Sequence, residues 1–148
     1  MKNLFQLGAV EEVMTRMEQL KPSSQPQWGR MDVAQMLAHC STTMDMASGK
    51  FAGKRTLIGR IIGPRFRHLM SDDSPMRHNS PTVKELKVSG SDFTRERERL
   101  KQRVREFHER GEAGCTRHPH PFFGELTPLE WSTGMYKHLD HHLRQFAG

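Results

Sequence analysis

Apolar residues recur along this chain at intervals of three and four in four separate segments, the spacing that lays one stripe along an α-helix. In the first segment Leu7, Val10, Met14 and Met17 mark the stripe, widened by Val13 and Leu20. Pro22 ends it, because proline lacks the amide donor and clashes with the preceding turn. The second segment starts at Asp32, whose carboxylate suits the free amides of a helix start, and Gln35 answers it in a capping box. Val33, Met36, Leu37, Cys40 and Met44 then share a side, and Gly49 is a natural terminator. A third stripe of Phe93, Leu100, Val104 and Phe107 is flanked by interspersed acids and bases, with Ser91 or Asp92 as its N-cap. The fourth is announced by Thr127-Pro128-Leu129-Glu130, where threonine caps, proline takes the first helical position and glutamate closes a second capping box. It should run from Pro128 to Phe146.

Between the second and third segments, the stretch from Gly49 to Gly90 is rich in Gly and Pro. Its one apolar patch, Leu57, Ile58, Ile61 and Ile62, predicts a brief helix before Pro64. A connection of this length inside a compact domain is a crossover, a lid or a disordered stretch. No internal repeat and no strand-like alternation interrupts the pattern. The sequence therefore predicts an all-α single domain over residues 1–148, a four-helix bundle with a long crossover connection between helices two and three. At 148 residues such a core can bury well over half of the unfolded surface without a disulfide.

Composition modifies this picture in two places. The hydrophobic fraction is only 34% and the mean hydropathy is -0.74, yet the helical periodicity is that of a folded chain. The net charge of +6 permits nucleic acid, an anionic surface or an acidic small molecule as partner. Lys50, Lys54, Arg55, Arg60, Arg65 and Arg67 concentrate it, with no acid between Asp45 and Asp72. A solvated connector is the plain interpretation. The segment offers only Phe51 and Phe66 for stacking and carries no nucleic-acid motif, so a nucleic-acid partner is not expected. Cys40 and Cys115 lack CxxC spacing and suit a reducing cytoplasm. No stretch approaches the roughly 20 apolar residues of a membrane span, and no secretion signal is recognisable, so no membrane partner is expected.

Candidate chemistry lies in the histidines. On a helical wheel of the last segment, Trp131, Met135, Leu139, Leu143 and Phe146 form the core arc, opposite Lys137, Asp140 and Arg144. His142 falls inside that arc, His138 at its edge and His141 toward solvent. Histidines at i and i+4 can bring two ring nitrogens to one ion at about 2.0–2.1 Å. An isolated HxxxH in a chain with nine histidines more often marks hydrogen-bonded core or boundary residues. Leu139 and Asp140 follow His138, so the pair lacks the glutamate base of a zinc peptidase. For a third ligand, His68, His78, His118 and His120 fall in connectors and His108 follows a charged helix surface. His39 sits mid-helix in DVAQMLAHC, where it can turn toward a neighbouring helix. Neutral imidazoles suit zinc or nickel and leave positions for water or substrate. Cys40 points elsewhere, as a core thiol, while Tyr136, Trp131, Trp28, Phe122 and Phe123 either line a pocket or pack the core.

The segments WGRMDVAQMLAHC and YKHLDHHLRQF, with HPFFGELTPLEW before the last helix, resemble the DinB/YfiT-like superfamily, in an uncharacterised branch, over nearly the whole chain. The resemblance implies a DinB-like bundle in which a histidine of the second helix joins the HxxxH pair of the last to hold a divalent metal. Carried over by motif, these are His39, His138 and His142. It further implies a metal-dependent transferase acting on a small-molecule substrate with a low-molecular-weight thiol as cofactor, and a homodimer. The basic connector matches no superfamily motif. A metal-dependent hydrolase that activates water, a non-enzymatic nucleic-acid-binding module and a purely structural four-ligand site remain as alternatives.

Overall fold

The structure is a computed structural model describing residues 1–79 and 92–147. Its α-helices are α1 (Leu7–Gln19), α2 (Val33–Ala47), the short α3 (Leu57–Ile62), α4 (Phe93–Arg110) and α5 (Pro128–Gln145), with 3-10 turns at Gly63–Met70 and Gly111–Gly114. Among the described residues the only extended pairing is an isolated bridge between His120 and Gly124. The fold is all-α as expected, and α3 is the brief helix that the apolar patch before Pro64 predicts.

Local hydrogen bonding fixes the helix starts. The Asp32 carboxylate accepts from Gln35 N at 2.8 Å while Asp32 N donates to Gln35 Oε1 at 3.0 Å. At α5, Thr127 Oγ1 accepts from Glu130 N at 3.2 Å and Thr127 N donates to Glu130 Oε2 at 2.7 Å. For α4 the cap is Asp92, whose carboxylate accepts from Arg95 N at 2.7 Å. The alternative cap Ser91 lies outside the described residues, as do residues 80–90 of the connector.

Leu7 and Lys137 depart from the sequence expectation. Leu7 is 59% exposed, while Leu4, ahead of the helix, is fully buried. The backbone of Leu4 and Phe5 is pinned to Ser132 of α5, so Leu4 fills this end of the core. Lys137, placed outward by the wheel, is buried. Its ammonium donates to Leu69 O and to the Asp72 carboxylate, each at 2.7 Å, because the end of the first 3-10 turn and the residues just after it lie across that side of α5.

Helix α2 is buried nearly all round and packs on both α4 and α5, most extensively on α4. Helix α1 also packs on α4 and α5. Among the described residues, α1 does not pack on α2, nor α4 on α5, whereas α2 and α4, the second and third long helices, share the broadest contact. Met36, Leu37, Met44, Leu100, Val104, Phe107, Trp131, Leu139 and Leu143 fill the centre. Where α2 meets α4, Asp45 is buried and ion-pairs with Arg103 Nε at 2.6 Å, Arg99 Nη2 at 2.9 Å and Lys50 Nζ at 3.2 Å. Where α2 meets α5, the polar residue is His39. No described helix is long and apolar enough to cross a membrane.

Candidate metal centre

His39 is interior because almost every side of α2 is covered, and the inward face of α5 brings His138 and His142 to meet it. His39 and His142 are buried and His138 is partly exposed. His39 Nε2 stands 3.1 Å from His138 Nε2. The ring centroids of His138 and His142 are 4.6 Å apart, and those of His39 and His142 are 5.0 Å apart. One nitrogen from each ring lies within 4.8 Å of the other two, close enough for all three histidines to hold a metal ion. All three expected ligand positions are thus gathered in one place.

The donor set suits a cation. Two nitrogens bound tetrahedrally at about 2.05 Å stand roughly 3.3 Å apart, close to the separation of His39 and His138, and His142 exceeds that spacing by at most about 1.5 Å. Two ring nitrogens facing each other at 3.1 Å oppose their lone pairs unless a proton or a cation lies between them. Among the described residues no carboxylate joins the group.

Burial, and after it the neighbouring imidazoles His142 and His39, hold the proton affinity of His138 well below the usual histidine range. His142 is pushed down to about 3, first by burial and then by His39. Its tautomer follows from the next contact outward. The Gln145 amide nitrogen donates to Trp28 O at 2.6 Å, so the amide oxygen faces His142 Nδ1 at 2.8 Å and must accept from it. The lone pair of His142 is therefore on Nε2. Gln27 N also donates to Gln145 O at 2.8 Å, so the chain entering α2 holds the end of α5 in place.

Trp28 stacks on His78 with centroids 3.9 Å apart and planes within 9°, and meets His141 at 5.4 Å. His141 consequently is half-buried beside His142 instead of pointing to solvent as the wheel suggests. His120 also departs from its reading as a simple connector residue. Its Nδ1 accepts from Phe122 N at 3.1 Å and Phe123 N at 3.2 Å, its ring packs on Trp131, and burial followed by the nearby Arg55 pushes it down to about 4.

Other candidates divide clearly. Tyr136 Oη donates to Glu12 Oε1 at 3.0 Å and belongs to the contact between α1 and α5, while Trp131 is core. Cys40 is a core thiol whose ionisation burial suppresses, and burial pushes Cys115 up to about 11. The basic connector is not uniform: Lys50 pairs with Asp45 and Glu106, and Arg67 makes a two-pronged bond to Glu130. The contributions of Gln145 and His120 were not foreseen from sequence. For Gln145 the available signal was its spacing three residues after His142, and for His120 only the HPFFGEL stretch.

These features define an all-helical protein with three histidines gathered between its second helix and its last. Residues 2–148 match the family described as "Protein of unknown function (DUF1569)", and the chain belongs to that family. No curated protein and no solved structure matches the chain.

Proposed function

We propose that this protein holds one divalent ion, zinc or nickel, on His39, His138 and His142 within a DinB-like four-helix bundle, and transfers a low-molecular-weight thiol to an electrophilic small molecule. The convergence of three imidazoles, with no carboxylate among the described residues, carries this reading. The packing of α1 and α2 each on both α4 and α5, together with the motifs of α2 and α5, supports the bundle assignment. An ion so held keeps its positive charge and favours the deprotonated form of a thiol or water beside it.

The chain's own groups prepare the site. The depressed basicity of His138 and His142 keeps their nitrogens free of protons near neutrality, so a metal competes with little. Gln145 fixes which nitrogen of His142 faces inward. Trp28 and His78 cover His141 and, through it, the flank of His142. Burial suppresses ionisation of Cys40 and Cys115, so a nucleophilic sulfur comes from solution. The resemblance to thiol-dependent transferases favours a thiol over water.

Elemental analysis of protein purified without added metal, followed by a screen of small thiols against electrophilic acceptors, tests the proposal. Turnover should require metal and vanish in His142→Ala. Metal-loaded protein that hydrolyses esters or amides and transfers no thiol would replace this reading with a water-activating hydrolase.

A further inference from the structure

Helix α3 is docked with its apolar residues outward. Gly59 and Gly63, one turn apart, press against the loop that leads toward α5. A Cβ at Gly59 would stand 2.7 Å from Phe122 Cα, and one at Gly63 would stand 1.7 Å from Phe122 O. Thr56 N donates to Pro121 O at 3.1 Å, which fixes the start of the helix on that loop. Only glycine fits the docked side. The opposite side therefore stays in solvent, with Leu57 77%, Ile58 66%, Ile61 81% and Ile62 40% exposed, and Phe66 at 39% and Leu69 at 37% extend it. Single exposed apolar side chains are ordinary, but a contiguous group marks a contact surface.

The charges around this patch specify what it contacts. Lys54, Arg60 and Arg65 are exposed among the aliphatic side chains and form no ion pair with the described residues, unlike Lys50 and Arg67 of the same connector. No acid occurs from residue 46 to residue 71. A partner for this face must be apolar at its centre and negatively charged around it.

We propose that the α3 face is a peripheral docking surface for an anionic phospholipid bilayer. Leu57, Ile58, Ile61 and Ile62 enter the boundary between headgroups and acyl chains, and Lys54, Arg60 and Arg65 lie among the phosphates. A lipid surface supplies both complements at once. A second copy joined by two-fold symmetry supplies the apolar centre but not the negative rim, because it sets the same three cations against themselves. The expectation of no membrane partner rested on the lack of a spanning segment, and interfacial docking requires none. This surface is independent of the histidine cluster.

Flotation of the full chain with phosphatidylcholine vesicles, with and without about one third phosphatidylserine, tests the assignment. Binding is expected to the anionic vesicles and not to the neutral ones, and it should weaken as salt rises. Arg60→Gln/Arg65→Gln should lower partitioning roughly 25-fold, about fivefold per cation. Ile58→Ser/Ile61→Ser should lower it at least roughly tenfold, with helicity and metal content unchanged, since both side chains are exposed. Failure to bind anionic vesicles, or binding that survives both variants, overturns the proposal. So does a fall from dimer to monomer mass in Ile58→Ser/Ile61→Ser without any vesicle binding, which would make a second copy the occupant.

Discussion

Helix α2 buries polar groups on two of its sides and treats them in opposite ways. Toward α4 it offers Asp45, met by Arg103, Arg99 and Lys50 within 3.2 Å, so the negative charge is answered inside the protein. Toward α5 it offers His39, met by His138 and His142, so bases face bases with no acid among the described residues. A buried ion pair whose partners are all present is complete, and removing one partner leaves an uncompensated charge. Three imidazoles gathered together, with burial opposing protonation of His138 and His142, can take a cation as their complement. Buried polarity by itself thus says little about function; what matters is whether the protein supplies the complement.

The largest effect that would sharpen this contrast is on metal affinity. His39→Ala, His138→Ala and His142→Ala should each weaken binding beyond about 100-fold in titration calorimetry, more than the loss of an outer partner costs, while His141→Ala should leave the site three-coordinate and change it little. Equal losses from His141→Ala and His138→Ala would break the contrast. On the other side of α2, Asp45→Ala should lower stability by about 2 kcal/mol in urea titration, discounted from the fully buried case because Arg99 and Lys50 are each 36% exposed. Metal affinity should not change. An equal effect on affinity would mean that the two sides are coupled.

Gln145→Ala should reduce metal affinity about tenfold by releasing His142 Nδ1, the usual consequence of losing a ligand's outer partner. Unchanged affinity would remove Gln145 from the site. The smallest effect concerns pH. His120 titrates near 4 in the folded protein and near 6.5 when unfolded, so in that interval the unfolded chain binds the extra proton and stability falls as pH falls. Above about pH 6.5 the group contributes nothing. Thermal melts of His120→Gln between about pH 6 and 5 should show a slope shallower by about 1 kcal/mol per pH unit.

Local features were legible in the sequence. The capping boxes at Asp32 and Thr127 were readable because both partners lie within four residues, and α3 because its apolar spacing precedes a proline. His138 and His142 could be phased on one helix, whereas His39 entered through its mid-helix position and the superfamily resemblance. What escaped depends on segments brought together from far apart. Lys137 reads as a surface residue until residues 69–72 cover it, and His141 until Trp28 and His78 reach it. Arg99 and Arg103 carry the same charge pattern as solvent-facing arginines on the same helix, so sequence cannot single them out as partners of Asp45.

The pairing order of the helices also governs how the protein acquires its shape. Because α1 does not rest on α2, nor α4 on α5, a nascent chain carrying only α1 and α2 cannot close a helical hairpin between them. The first broad apolar union available is α2 with α4, across the whole intervening connector, and its loop-closure entropy must be met before burial repays it. His39 and His138 stand 99 positions apart, so their meeting reports closure of a loop that spans most of the chain. Imidazole proton resonances from the cluster would therefore serve as a direct reporter of α5 docked against α2.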